Sequence, residues 1–186
     1  MQFSDEELVE KVLKGEQRAF EVLVNRWQRQ IYGLALRILG REDDAYDVCQ
    51  ETFLLAYRNL SKFRGEAKFS SWLYRIAINC CHTVMRTRGN NLSLECQREE
   101  VGYEPSVESD FLDEAMQKAQ LSKIVRRALM GLPAEMREVI VMKEYQQMKF
   151  HEIAEVLGIP VSTVKTRLYT GLEQLRQRLS HIKGAL

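Results

Sequence analysis

Apolar residues recur along most of this chain at helical spacing, and no Val/Ile/Thr-rich alternating run interrupts them. Ser4 followed by Glu7 is the signature of a capping box, and Gly15 supplies a stop, so a first helix is expected between them. A long periodic segment follows over about 18–39 and meets Gly40, and a third covers about 43–60. "FRGEAKF" (63–69) reads as a loop broken at Gly65. A fourth helix is expected from Ser70 or Ser71 to about Arg88, where "GNN" ends it. Periodicity then lapses, and 89–114 is polar, acidic and aperiodic, as linkers are. It resumes at about 113–130, stops at "GLP" and returns at about 134–145. A two-turn helix, "FHEIAEVLG", and a longer one, "VSTVKTRLYTGLEQLRQRL", complete the pattern. The expected architecture is all-α: two small helical domains, 1–92 and 116–186, joined by a flexible linker at 93–115.

Charge sharpens this division. The formal net charge of +1 conceals 14 basic against 12 acidic residues in 1–92, 2 against 8 in 93–118, and 11 against 6 in 119–186. Two neutral-to-basic blocks flanking an acidic middle suggest different jobs for different segments. A content of 45% hydrophobic and 28% charged residues fits a soluble globular chain rather than a disordered one. The acidic, amphipathic opening does not read as a signal peptide, and no uncharged apolar run is long enough to span a bilayer. Four cysteines, two of them adjacent, are no disulfide framework, so a reducing cytoplasm is expected.

The end of the chain carries the sharpest motif. In 150–179 the inward positions are Ile153, Leu157, Val164, Leu168, Leu172 and Leu175, with small Ala154 where two helices must cross. Gly158 suits a left-handed turn residue, Pro160 cannot continue the first helix, and Ser162 can cap the second. This is the sequence form of a helix–turn–helix, whose second helix enters the major groove of DNA. Opposite its apolar stripe lie Ser162, Thr163, Thr166, Tyr169 and Thr170, flanked by Lys165 and Arg167, with Arg176 farther along. Hydroxyls and cations are what base edges and phosphates require.

Two helices of the first block present contrasting faces. In 43–60 the inward stripe is Ala45, Val48, Cys49, Thr52, Phe53, Ala56 and Leu60, and Asp47, Gln50, Glu51, Leu54 and Arg58 lie opposite. Periodicity alone favours a plain solvated face there, but an apolar Leu54 among acids also suits a protein partner. In 70–88 the stripe is Leu73, Ile76, Ala77, Cys80 and Val84, with Arg75, Asn79, His82 and Arg86 on the other side. Lys62, Arg64, Lys68 and Arg88 add charge, and Phe63, Phe69, Trp72 and Tyr74 are interleaved with it. Aromatics beside cations suit single-stranded nucleic acid, because bases stack on rings while cations follow the backbone. For Phe69 and Trp72, a place in the core is the simpler reading. Cys80, Cys81 and His82 invite a metal site, but three consecutive helical residues fan out too widely for one ion. Cys80 falls on the buried stripe, and Cys81 is expected at its edge as a partly exposed thiol near the nucleic-acid face.

These segments together resemble the sigma factors of bacterial RNA polymerase, most closely the small two-domain extracytoplasmic-function (ECF) subfamily. "DAYDVCQETFLLAYRNLSKFRGEAKFSSWLYRIAIN" (44–79) is similar to that family's region 2, and "LPAEMREVIVMKEYQQMKFHEIAEVLGIPVSTVKTRLYTGLEQLR" (132–176) to its region 4. The resemblance implies a promoter-specificity subunit without catalytic activity, cofactor or metal. Asp47, Gln50 and Glu51 would contact the clamp helices of the largest polymerase subunit, with Leu54 beside them and Phe53 packed inside. Phe63, Arg64, Lys68, Arg75, Asn79, His82, Arg86 and Arg88 would serve the −10 element, held as a melted single strand with one base flipped out. Ser162, Thr163, Lys165, Thr166, Arg167, Tyr169 and Arg176 would serve the double-stranded −35 element. Core polymerase (clamp helices and flap), promoter DNA and an anti-sigma factor are the implied partners. Cys49, Cys80, Cys81 and His82 depart from the family pattern. An ordinary helix–turn–helix regulator with a ligand-binding or dimerising first domain would account for 119–186 equally well, but not for 44–79.

Overall fold

A computed structural model describes residues 3–65, 67–91 and 112–183. Among these residues every regular element is helical, with no strand. Helix α1 (Asp5–Leu13) begins with the expected capping box: Glu7 N–H donates to Ser4 Oγ (3.1 Å), and Ser4 N–H to the Glu7 carboxylate (2.7 Å). Helix α2 (Arg18–Leu39) stops at Gly40, whose φ of 78° is the left-handed conformation that glycine adopts without steric cost. Helix α3 (Glu42–Asn59) runs into a 3₁₀ turn, Leu60–Lys62. Helix α4 (Phe69–Asn91) then crosses the bundle and continues through the "GNN" expected to end it. Glycine weakens a helix by only about 1 kcal/mol, too little to stop one whose preceding turns are packed. Leu23, Ile31, Leu34 and Ile38 of α2 meet Val48 and Phe53 of α3 and Phe69, Leu73 and Ala77 of α4 in a buried core.

The second unit comprises α5 (Leu112–Met130), α6 (Ala134–Ile140), α7 (Phe150–Leu157) and α8 (Val161–Lys183). Helix α5 starts ahead of residue 116; residues 92–111 of the expected linker region lie outside the described residues. The helix expected over 134–145 becomes α6 followed by a π-helical turn, Val141–Tyr145. Val139 to Met142 are all buried, because this apolar segment lies between α8 on one side and α2 on the other. Gly171 permits the close α6–α8 crossing: a Cβ there would stand 3.0 Å from Ile140 Cδ1 and 3.1 Å from Met136 Cβ.

The two units pack against each other. Three guanidinium groups close the C-terminal end of α2, where backbone carbonyls lack helical partners and carry partial negative charge. Arg137 Nη1 donates to Ile38 O (2.6 Å), Arg88 Nη1 to Leu39 O (3.2 Å), and Arg126 to Gly40 O. Two of the three come from the second unit, so α2 is capped across the seam.

Candidate nucleic-acid and partner interfaces

Helix α3 has the two faces its sequence predicts. Ala45, Val48, Thr52, Phe53 and Ala56 are buried, whereas Asp47, Gln50, Glu51 and Leu54 are exposed on adjacent turns. Leu54 keeps 43% of its surface in solvent, an apolar side chain set among carboxylates. A groove of ≈750 Å³ separates this face from α4 and is lined by those four side chains together with Asn79, Cys80, Thr83 and Val84. Asn79 therefore opens onto the acidic groove, on a different flank from Arg75 and His82.

Helix α4 differs more from expectation, because it is covered on two flanks. One packs on α2 and α3, and the other lies against α7 and its neighbours. Tyr74, Ile78 and Cys81 are buried as well as the anticipated Leu73, Ala77 and Cys80. Cys81 is fully buried, which corrects the expectation of a partly exposed thiol; burial first, then the Glu138 charge, pushes its acidity far down. Cys80 is likewise raised by burial, and Cys49 is half-buried with Gln28 O as acceptor at 3.6 Å. Among the described residues, no group of three or more His, Cys, Asp or Glu is placed to hold a metal ion.

The polar side of α4 is bonded to the second unit. Lys68 Nζ lies 2.8 Å from Glu152 Oε1, and Arg75 Nη2 donates to Glu155 O at 2.6 Å. Tyr74 Oη donates to Gln146 Oε1 (2.8 Å), and His82 Nε2 lies 2.7 Å from Glu138 Oε1. The bond to Glu138 raises the His82 pKa above the usual histidine value, against the opposing effect of burial. The Lys68 contact holds the Glu152 carboxyl below its usual value, helped by the Lys149 N–H, and raises Lys68 in turn. Tyr74 is pushed up to about 12 by burial. Arg86 is exposed and reaches Thr83 Oγ1 (3.3 Å). Arg88 is committed elsewhere, to Asp44 and Leu39 O.

The aromatic residues form one stack. Phe63 stands 5.8 Å from Phe69 and 5.4 Å from Trp72, centroid to centroid. Phe69 is fully buried, as the simpler reading had it, and Phe63 and Trp72 are half-buried. Arg64 and Lys68 are exposed in the loop beside this stack, where Gly65 takes a φ of 71°.

Helices α7 and α8 form the anticipated pair. Gly158 has a φ of 66° and closes α7. Helix α8 starts at Val161, so Ser162 sits inside its first turn rather than capping it, and its carbonyl accepts Thr166 Oγ1 (3.0 Å). Val164 and Leu168 are buried; Ser162, Lys165, Thr166, Tyr169 and Arg176 are exposed, Tyr169 by 62%. Thr163 and Arg167 are half-buried flanking residues. Arg167 pairs with Glu135 (3.1 Å), Arg176 with Glu173 (3.3 Å), and Lys165 Nζ stands 5.6 Å from the Phe150 ring centre. Arg137 and Glu138, both buried, gave no signal in the sequence: within "PAEMREVIVM" they read as ordinary outer-face charges.

Comparison with known proteins accords with this arrangement. The family model for sigma-70 region 2 matches residues 23–90, and that for sigma-70 region 4 matches residues 122–175. The ECF RNA polymerase sigma-E factor of Haemophilus influenzae is 33% identical over 184 residues, covering 96% of each chain. The ECF sigma factor SigW of Bacillus subtilis is 38% identical over 178 residues, covering 92% of this chain and 94% of that protein. The sigma factor RpoE of Bartonella quintana, solved with the anti-sigma factor NepR, has the same fold (TM-score 0.69, 23% identity, 91% of this chain and 98% of that one). With both regions matched in order and relatives aligned over nearly its whole length, the chain belongs to the ECF group of the sigma-70 family of RNA polymerase sigma factors.

Proposed function

We propose a division of labour among three surfaces. Asp47, Gln50, Glu51 and Leu54 on α3 dock against the clamp helices of the polymerase. The exposed apolar side chain supplies contact area, and the carboxylates set orientation and repel DNA. Phe63, Arg64, Lys68, Arg75, His82 and Arg86 form the −10 reader, with Asn79 at the edge shared with the docking groove. Cations there follow the single strand while the half-buried rings of Phe63 and Trp72 offer stacking surface, which offsets an unstacking cost of a few kcal/mol for a flipped base. Arg88 braces α2 and so holds this platform. On α8, Ser162, Lys165, Thr166, Tyr169 and Arg176 face the −35 duplex, with Thr163 and Arg167 at the rim.

The observation that carries this reading is the coexistence, on one chain, of an exposed acidic-and-apolar helix face and a separate exposed hydroxyl-and-cation helix face. The domains 1–92 and 116–186 each bring one end of the promoter, and 93–115 spans between them. The protein acts by binding, without chemistry of its own, in the cytoplasm beside its polymerase, and an anti-sigma factor restrains it. No helix among the described residues is long and apolar enough to cross a membrane.

Run-off transcription with purified core polymerase and genomic promoter fragments tests the proposal. A specific transcript and co-elution with core are expected. Neither would appear if the chain were a helix–turn–helix regulator working alone.

A further inference from the structure

The first turn of α1 reaches the start of α4, and each of its polar side chains has a partner. Ser4 and Glu7 cap one another. The Asp5 carboxylate accepts from Trp27 Nε1 (3.0 Å) and pairs with Arg26, whose Nη2 donates to Phe3 O (2.9 Å). Leu8 and Val9 follow and are buried, so this turn is fixed on α2. Trp27 in turn stands edge-on to Tyr74 of α4, 5.8 Å between centroids. Between these anchors, Glu6 Oε1 accepts the Phe69 N–H at 3.3 Å. Phe69 is the first residue of α4, and Trp72 N–H donates to Lys68 O (3.2 Å), so Lys68 holds the N-cap position. A lysine there offers no acceptor to the free amides, and its charge opposes the helix dipole. Glu6 supplies what Lys68 lacks, an acceptor oxygen and a negative charge. At the other end of the loop, Phe63 N–H closes the 3₁₀ turn on Leu60 O (3.0 Å). Phe63, Arg64 and Lys68 thus lie between two backbone ties, one of which comes from α1.

We propose that Glu6 is a positioning residue for the −10 reader: by capping α4 from α1 it fixes the end of the loop that carries Phe63, Arg64 and Lys68, so that a splayed base meets the rings of Phe63 and Trp72 in one register. The inference rests on the assignment of that loop and of α4 to the −10 strand given above. Glu6 acts through the Phe69 amide and not by touching the strand, whose phosphates its carboxylate repels.

The test uses holoenzyme reconstituted with the full chain. Two fluorescent single strands are the probes: the non-template −10 segment of a promoter that yields a run-off transcript, and the same bases in scrambled order. The ratio of the two affinities reports register and does not depend on the fraction of active protein, so a mere loss of stability leaves it unchanged. Glu6→Ala should lower the ratio about fivefold, the usual weight of a lost cap. Glu6→Gln keeps an acceptor oxygen and should retain most of the ratio. An unchanged ratio with Glu6→Ala overturns the positioning role. Equal losses in the two variants overturn the cap, since the charge alone would then account for them. Arg64→Ala tests the underlying assignment by affinity rather than by ratio. If both affinities stay unaltered, the loop does not serve the strand and the positioning role falls with it. If both weaken while Glu6→Ala keeps the ratio, the positioning role falls alone.

Discussion

The two faces proposed to read DNA in this sigma factor differ in how they are kept. On α8, Lys165, Thr166 and Tyr169 stand exposed, and their neighbours are tied only within the same unit, Arg167 to Glu135 and Arg176 to Glu173. On α4, Tyr74, Arg75 and His82, with Lys68 just ahead of the helix, each reach across the seam to the second unit. The proposed duplex-reading face is open in this structure, whereas the proposed strand-reading face is bonded to the second unit. That contrast suits the proposed roles, since single-stranded DNA exists only after the duplex has been bound and opened.

The largest effect that separates the faces comes from the core beneath α4. Phe69 is fully buried and anchors the aromatic stack, so Phe69→Ala should destabilise the first unit by about 3–5 kcal/mol. Chemical denaturation would report the loss, and duplex binding through α8 should persist at low denaturant. Simultaneous loss of both would show that the units fold as one.

A smaller effect follows at Cys81, buried where α4 meets the second unit. Cys81→Ser replaces a buried apolar thiol with a more polar hydroxyl there and should cost about 1–3 kcal/mol. A stability within 0.5 kcal/mol of the unaltered protein, about the size of an ordinary surface substitution, would mean that this flank of α4 is wet. On α8, Lys165→Ala should weaken duplex binding about equally for all sequences and lower the salt slope by about 1. An altered sequence preference with an unchanged slope would move Lys165 from phosphate to base.

The smallest effect is on pH. Glu138 of α6 and Arg86 of α4 are the charged groups acting on His82, and the Glu138 bond raises its pKa where the two units are packed. A raised pKa stabilises the packed form fully below the ordinary histidine value of about 6.5 and loses that contribution as pH rises through the raised value. The contact between the units should therefore weaken as pH increases from about 6 to 8, as amide exchange along α4 would report, and Glu138→Gln should flatten the dependence. A slope unchanged by that substitution would assign the titration to another group.

What could be read in the sequence, and what could not, follows the same divide. The capping box at Ser4, the stops at Gly40 and Gly158, the α3 faces and the α8 stripe all rest on spacing within one helix, and each is where the spacing puts it. The misreadings cluster where a helix has two neighbours. Periodicity assigns one buried stripe per helix, so Cys81, Tyr74 and Ile78 on the second flank of α4 escaped it. Arg137 and Glu138 escaped it too, because their partners, Ile38 O and His82, are distant in the chain. Asn79 shares the polar arc with Arg75 and His82 on a helical wheel, yet α3 draws it into a different groove.

The most direct measurement is permanganate footprinting of melted −10 thymines, with footprinting of the −35 element in parallel, on reconstituted holoenzyme bearing Arg75→Ala or Lys165→Ala. Arg75→Ala should keep −35 protection while losing −10 reactivity, and Lys165→Ala should lose protection first at −35. Normal −10 melting with Arg75→Ala, or its loss together with −35 protection, would contradict the assignment of α4 to the melted strand and α8 to the duplex.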